Sequence, residues 1–166
     1  MNQTALPYAE EVNYWQTSQT SPDVWMERTC KLISELGGTI MAEGFGREPN
    51  TGRAAYMLAF KIGSDEFRIV WPVLPTQTQK GERAARIQAA TFLFHDTKAK
   101  VLKSFIFGAR AAFFEYLMLP DGTTAAEATS EALMKAMPEL FGGVELQRRQ
   151  PALGSGDVEG EFTELK

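Results

Sequence analysis

A basic segment in the middle of the chain carries the side chains best suited to chemistry. Residues 80–110 hold seven lysines and arginines against two acids, which gives +5 in a chain whose net charge is −4. Lysine and arginine neutralise phosphates and release counterions, so this segment predicts contact with a nucleic-acid backbone. The predicted contacts are Lys80, Arg83, Arg86, Lys98, Lys100 and Lys103. The alternative is that these charges form only the solvated face of a helix.

Two arginines on the preceding hairpins, Arg53 and Arg68, extend the predicted phosphate track. Two more bases and three aromatic residues lie on the same hairpins, namely Arg47, Lys61, Phe45, Tyr56 and Trp71. Exposed aromatic rings stack on unpaired bases, and we predict this role for Tyr56 or Trp71.

The sequence offers few residues for a metal site, a catalytic site or a dinucleotide-binding site. The chain has one histidine, His95, and one cysteine, Cys30, too few for a zinc site. We predict a buried, inert thiol at Cys30 and a core or interface residue at His95. Gly44-Phe45-Gly46 does not extend to a dinucleotide-binding pattern. The sequence therefore predicts a non-enzymatic protein with no catalytic residue, no metal and no cofactor.

A magnesium-dependent nuclease core is a minor alternative, because many such cores also begin with a helix, three antiparallel strands and a helix. Glu43, Asp65 and Glu66 would supply carboxylates for the metal, with Lys61 and Arg68 nearby. Asp65 and Glu66 fall on or beside a predicted turn, where carboxylates are usually only solvated.

Caps and turns define the elements that position these residues. Ser21 is a good N-cap and Pro22 a good first residue for a helix that ends at Gly37-Gly38. Three strands follow, separated by short connections, and the pattern predicts an antiparallel meander. The predicted strands are Thr39 to Phe45, Ala54 to Ile62 and Glu66 to Leu74.

From Glu82 to about Leu119 the sequence predicts one long helix, or two helices jointed near Gly108. Because this region is apolar on several sides, we expect a homo-oligomer to bury part of it. A turn at Leu119-Pro120-Asp121-Gly122 follows. Thr123 or Thr124 then caps a short helix to about Ala136, which completes an α+β fold of order α-β-β-β-α-α.

The chain divides into a flexible arm (1–20), a single domain (21–143) and a disordered acidic tail (144–166). Its composition, 44% hydrophobic and 23% charged, is that of an ordinary globular protein. A single cysteine forms no internal disulfide, and no apolar run reaches the ~18 residues that span a bilayer. With no signal-peptide pattern at the N-terminus, these features predict a cytoplasmic location without membrane contact.

Four marks between about residues 30 and 140 resemble a group of small uncharacterised phage and prophage proteins. The marks are Leu74-Pro75, Lys98-Ala99-Lys100, Phe113-Phe114-Glu115 and Leu119-Pro120-Asp121-Gly122-Thr123. The resemblance implies a phage origin and no particular activity.

The element order is also similar to that of phage single-strand annealing proteins, which hold DNA against hairpins and a basic helix. The acidic stretch from Asp157 to Phe162 is similar to tails with which phage recombination proteins recruit partners. The double-stranded RNA-binding domain shares the order α-β-β-β-α, although its second helix is short. We therefore predict single-stranded DNA binding or annealing, with a structural or adaptor protein that docks a protein partner as the alternative.

Overall fold

A three-stranded antiparallel sheet in the order β1-β2-β3 is the centre of the structure, a computed structural model that describes residues 6–47 and 52–129. The strands are β1 (Thr39–Arg47), β2 (Ala54–Ile62) and β3 (Asp65–Pro72). The predicted meander is therefore confirmed, and the bounds of β2 are those expected. The third strand ends at Pro72, two residues earlier than predicted.

The first helix, α1 (Pro22–Glu35), begins and ends where the sequence predicts. The Ser21 hydroxyl accepts a hydrogen bond from the Val24 N–H, which satisfies one of the open donors of the first turn. At the other end, Gly37 takes a φ of +89°, which a residue with a side chain rarely adopts.

A long helix, α2 (Glu82–Phe107), is followed at Gly108 by a short helix, α3 (Ala109–Ala112). Gly108 has a φ of +82°, so the predicted joint is confirmed. The helix after it is shorter than predicted, because it ends at Ala112 and not near Leu119. The expected turn is present, since the Gly122 N–H donates to the Leu119 carbonyl. Thr124 then caps α4 (Ala125–Ala128) in a reciprocal capping box with Glu127. This helix ends at Ala128, with Thr129 as its C-cap, earlier than the predicted end near Ala136. Residues 130–136 lie outside the described residues.

The core lies between one face of the sheet and the two long helices. Alternate residues of β2 and β3 face it and are at most 2% exposed: Tyr56, Leu58, Phe60, Phe67 and Ile69. They pack with Ile33 of α1 and Leu93 of α2, which are both fully buried. The other face of β2 is open at Met57, which is 41% exposed. In the described part of the chain, no helix is long and apolar enough to cross a membrane.

The described part of the predicted N-terminal arm, residues 6–20, is attached to α2 and to the segment after β3. The buried Gln88 amide donates to the carbonyls of Ala9, Val12 and Asn13 at 3.0–3.2 Å. The Ala9 N–H donates to the Pro75 carbonyl, and Ala9 is fully buried. These contacts bring the arm beside the site described next.

Candidate nucleic-acid interface

An open cleft of about 910 Å³ lies where the β1-β2 hairpin meets the first turn of α2. Three arginines line it, Arg47, Arg53 and Arg86, against one acid, Glu82. Two aromatic side chains also line it, Phe45 and Tyr8, which are 43% and 45% exposed. The cleft therefore combines positive charge with accessible aromatic rings.

Arg86 is held at the base of this cleft by Phe45. Its guanidinium carbon lies 4.1 Å from the centre of the Phe45 ring, which is a cation–π contact. Burial raises the pKa of the neighbouring Tyr56, and the positive charge of Arg86 opposes that rise. The ring contact fixes the guanidinium and does not use its N–H groups.

The Arg86 Nε and the Tyr56 hydroxyl oxygen are both inaccessible to solvent, so neither atom is open to a ligand in the cleft. What Arg86 offers to such a ligand is its positive charge, which favours an anion.

Arg47, at the end of β1, is exposed and donates one hydrogen bond to the Gly52 carbonyl at 3.0 Å. This bond fixes the side chain across the mouth of the hairpin. A guanidinium has five N–H donors, so further donors remain for a phosphate. Arg53, at the start of β2, is half-buried in the same wall.

The basic residues of α2 do not form one continuous track. Lys80 and Arg83 are exposed near its beginning, and Lys98 and Lys103 near its end. At 3.6 residues per turn, Lys98 and Lys103 point about 140° apart around the helix axis. Of the six basic residues predicted between 80 and 103, only Arg86 lines the cleft among the residues that the structure describes.

Two predicted phosphate contacts are instead bound by carboxylates. The Lys100 ammonium pairs with Asp96 at 3.2 Å and with Glu115, and its side chain is only 16% exposed. Arg68 pairs with Glu127 of α4 at 2.8 Å. Both side chains connect elements of the fold, which removes them from the set available to a phosphate backbone.

The predicted stacking role of Tyr56 is wrong, because that residue is 2% exposed and its ring packs in the core. Trp71, directly across from it on β3, is half-buried against the same core. The accessible rings at the cleft are Phe45, which the sequence suggested, and Tyr8, which it did not. Tyr8 has no sequence signal, since only the packing of the arm brings it to the hairpin.

The carboxylates of the nuclease alternative are not gathered at one point. Asp65 accepts a hydrogen bond from the Arg110 Nε at 2.9 Å, and this bond lowers the pKa of Asp65. Glu43 accepts a hydrogen bond from the Cys30 thiol. Within residues 6–47 and 52–129, no group of three or more His, Cys, Asp or Glu side chains could hold a metal ion.

Cys30 and His95 differ from their predicted environments. Cys30 is half-buried, and its thiol donates to the Glu43 Oε2 at 2.9 Å. His95 is exposed, and its ring stacks on Tyr14 of the arm with 5.8 Å between ring centres. His95 therefore does not lie in the core: its ring faces Tyr14 of the arm and Trp25 of α1, the latter with 6.1 Å between ring centres. A place for His95 in an interface stays a prediction.

We expect Cys30 to react slowly with iodoacetamide well above pH 9. Burial first, and then the Glu43 carboxylate, raise the pKa of Cys30 to about 12. The thiol stays protonated in the folded state where the unfolded chain ionises, so this residue's contribution to stability is complete below about pH 9 and is lost towards pH 12. Alkylation rates of folded and urea-unfolded protein between pH 7 and 11 measure this shift. Glu43→Gln should lower the pKa, and equal rates for folded and unfolded protein at pH 9 would contradict the assignment.

Comparisons with protein families, with curated proteins and with solved structures find no match to this chain. The resemblance to phage proteins stays a prediction.

Proposed function

We propose that this is a non-enzymatic protein that binds single-stranded nucleic acid, with single-stranded DNA preferred, in the arginine-lined cleft. The observation that carries the proposal is the convergence of Arg47, Arg53 and Arg86 with the exposed rings of Phe45 and Tyr8. Positive charge along a groove follows the phosphate backbone, and aromatic rings stack on bases.

The aromatic residues favour a single strand over a duplex. Bases in a duplex are stacked on each other and offer only their edges, whereas unpaired bases offer a whole face. Phe45 is positioned by the Arg86 guanidinium, 4.1 Å from its ring centre, and by Tyr56, whose ring centre is 5.0 Å away. A ring held in this way loses little conformational entropy when a base stacks on it.

Phage recombination or annealing, and a cytoplasmic location, belong to the same proposal. Their support is the sequence resemblance, the single cysteine and the order of helix, three strands and long helix. The acidic stretch that would recruit a protein partner lies outside the described residues.

We expect a labelled single-stranded oligonucleotide to bind at ~50 mM salt and to dissociate largely at ~200 mM salt. Two neutralised phosphates, at Arg47 and Arg86, give a slope of about −1.4 in a plot of log affinity against log salt, so this fourfold increase should weaken affinity roughly 7-fold. Fluorescence anisotropy measures both affinities, and a duplex of the same sequence should bind more weakly. Absence of binding at ~50 mM salt, or affinity independent of salt, would contradict the proposal.

A structural or adaptor protein is the second candidate, because large apolar side chains at the end of α2 are exposed. The absorbance ratio at 260 and 280 nm after purification in low salt separates the two candidates. Nucleic acid that co-purifies supports the first, and protein free of nucleic acid supports the second.

A further inference from the structure

The C-terminal end of α2 presents four large apolar side chains to solvent, and we call this set the apolar end. Its members are Leu102, Phe105, Ile106 and Phe107, which are 59%, 75%, 76% and 64% exposed. Large apolar patches on soluble domains mark interaction sites. The set lies at the opposite end of the helix from the arginine-lined cleft, so it is a second surface.

Helix phase explains why three members of the apolar end are uncovered. Val101 and Ser104, which are 7% and 8% exposed, lie on the buried side of α2. At about 100° per residue, Phe105, Leu102 and Ile106 lie about 40°, 100° and 140° from Val101, on the side away from Ser104. Phe107 lies on another side of the helix, about 160° from Phe105.

We infer that the apolar end binds the same surface of a second copy of this chain, with the two helix ends antiparallel across a two-fold axis. Leu102, Phe105 and Ile106, which lie within about 100° of each other, expose roughly 400 Å² per chain, so two chains would bury up to about 800 Å², the size of a weak interface. A two-fold interface is self-complementary, and a second copy supplies the same apolar side chains.

Charge favours the antiparallel arrangement. Lys98 and Lys103 border the apolar end, and both are exposed. A parallel pair would set each lysine beside its equivalent, and these like charges would repel. The antiparallel pair places the two copies of Lys98 at opposite ends of the contact, so only the two copies of Lys103, near its centre, stay close together. The inference does not depend on nucleic-acid binding.

Mass measurement of the full chain tests the inference. Sedimentation equilibrium should show a wild-type mass approaching twice 18.4 kDa as concentration rises. Phe105→Glu should raise the dimer dissociation constant at least 100-fold, because it places charges in the contact. Met41→Glu is the matched control, since Met41 is 55% exposed on β1, and it should leave the mass unchanged. Unchanged far-UV circular dichroism would show that each variant is folded.

A wild-type protein that stays monomeric up to ~1 mM, or a Phe105→Glu variant with wild-type mass, would overturn the inference. Residues 130–166 of the same chain could cover the apolar end in place of a second copy. The accessibility of a thiol introduced at position 106 distinguishes the two cases. In an Ile106→Cys, Cys30→Ser variant, protection of the introduced thiol should increase with protein concentration. Protection that is independent of concentration would assign the apolar end to the chain itself and overturn the inference.

Discussion

Replacing both Arg47 and Arg86 by glutamine is expected to weaken binding of single-stranded DNA at ~50 mM salt by at least 100-fold. Hydrogen bonds to charged groups contribute about 1.5–3 kcal/mol each, so the loss of two such contacts costs about 3–6 kcal/mol. The salt slope should also fall by about 0.7 for each lost phosphate contact. Anisotropy titrations of the double variant at several salt concentrations measure both effects.

Arg83→Gln is the matched control, because Arg83 lies three residues before Arg86 on the same helix but outside the cleft lining. A continuous basic track along α2 would make Arg83 and Arg86 equally important. The cleft requires Arg86→Gln alone to weaken binding, with Arg83→Gln near wild type. Equal losses of DNA affinity in the two single variants would contradict binding in the cleft and would support the continuous basic track that the sequence predicts.

Replacing Phe113 by alanine is expected to lower the free energy of unfolding by about 3–5 kcal/mol. Phe113 is fully buried, and its ring contacts Phe60 and Phe67 with 5.4 and 5.8 Å between ring centres. Alanine would leave a cavity where the chain after α3 meets the sheet. Since domains are stable by about 5–15 kcal/mol, the loss is a large part of the total. Urea unfolding followed by circular dichroism gives the value.

Phe114→Ala provides the control for this substitution. Phe114 is the next residue and is 57% exposed, so its removal should change stability by no more than about 0.5 kcal/mol. Both variants should be measured at the same low protein concentration. Similar losses for Phe113→Ala and Phe114→Ala would show that the packing of this segment differs from the one described.

Local chemistry made much of the fold predictable. Ser21 and Pro22 begin α1 through an N-cap and a fixed backbone angle. Gly108 ends α2 because it takes a positive φ, and the residues of the Leu119–Gly122 turn fix its angles. Each of these effects depends on a few adjacent residues. The alternation along β2 likewise predicts which side chains are buried. The class of fold and the order of its elements follow from such signals.

The candidate site was predictable only in part, because its residues meet through contacts between distant segments. Arg53 and Arg86 were expected to bind phosphate and do lie together, but the sequence also included Lys100 and Arg68. Arg68 forms an ion pair with Glu127, which lies 59 residues away in the sequence, so it is not available to a phosphate. No local sequence pattern predicts such a pair. Tyr8 reaches the cleft because a buried glutamine amide holds the arm.

What the sequence determined by itself was the kind and order of the helices and strands, and the bounds of α1 and β2, since the caps and the alternation that decide these act over a few residues. Only the tertiary structure decided which charges remain accessible and which aromatic rings are covered. Phe113 and Phe114 are identical neighbours in the sequence, yet one is in the core and the other in solvent. The break at Gly108 resets the helical phase, so the periodicity of α2 could not tell them apart.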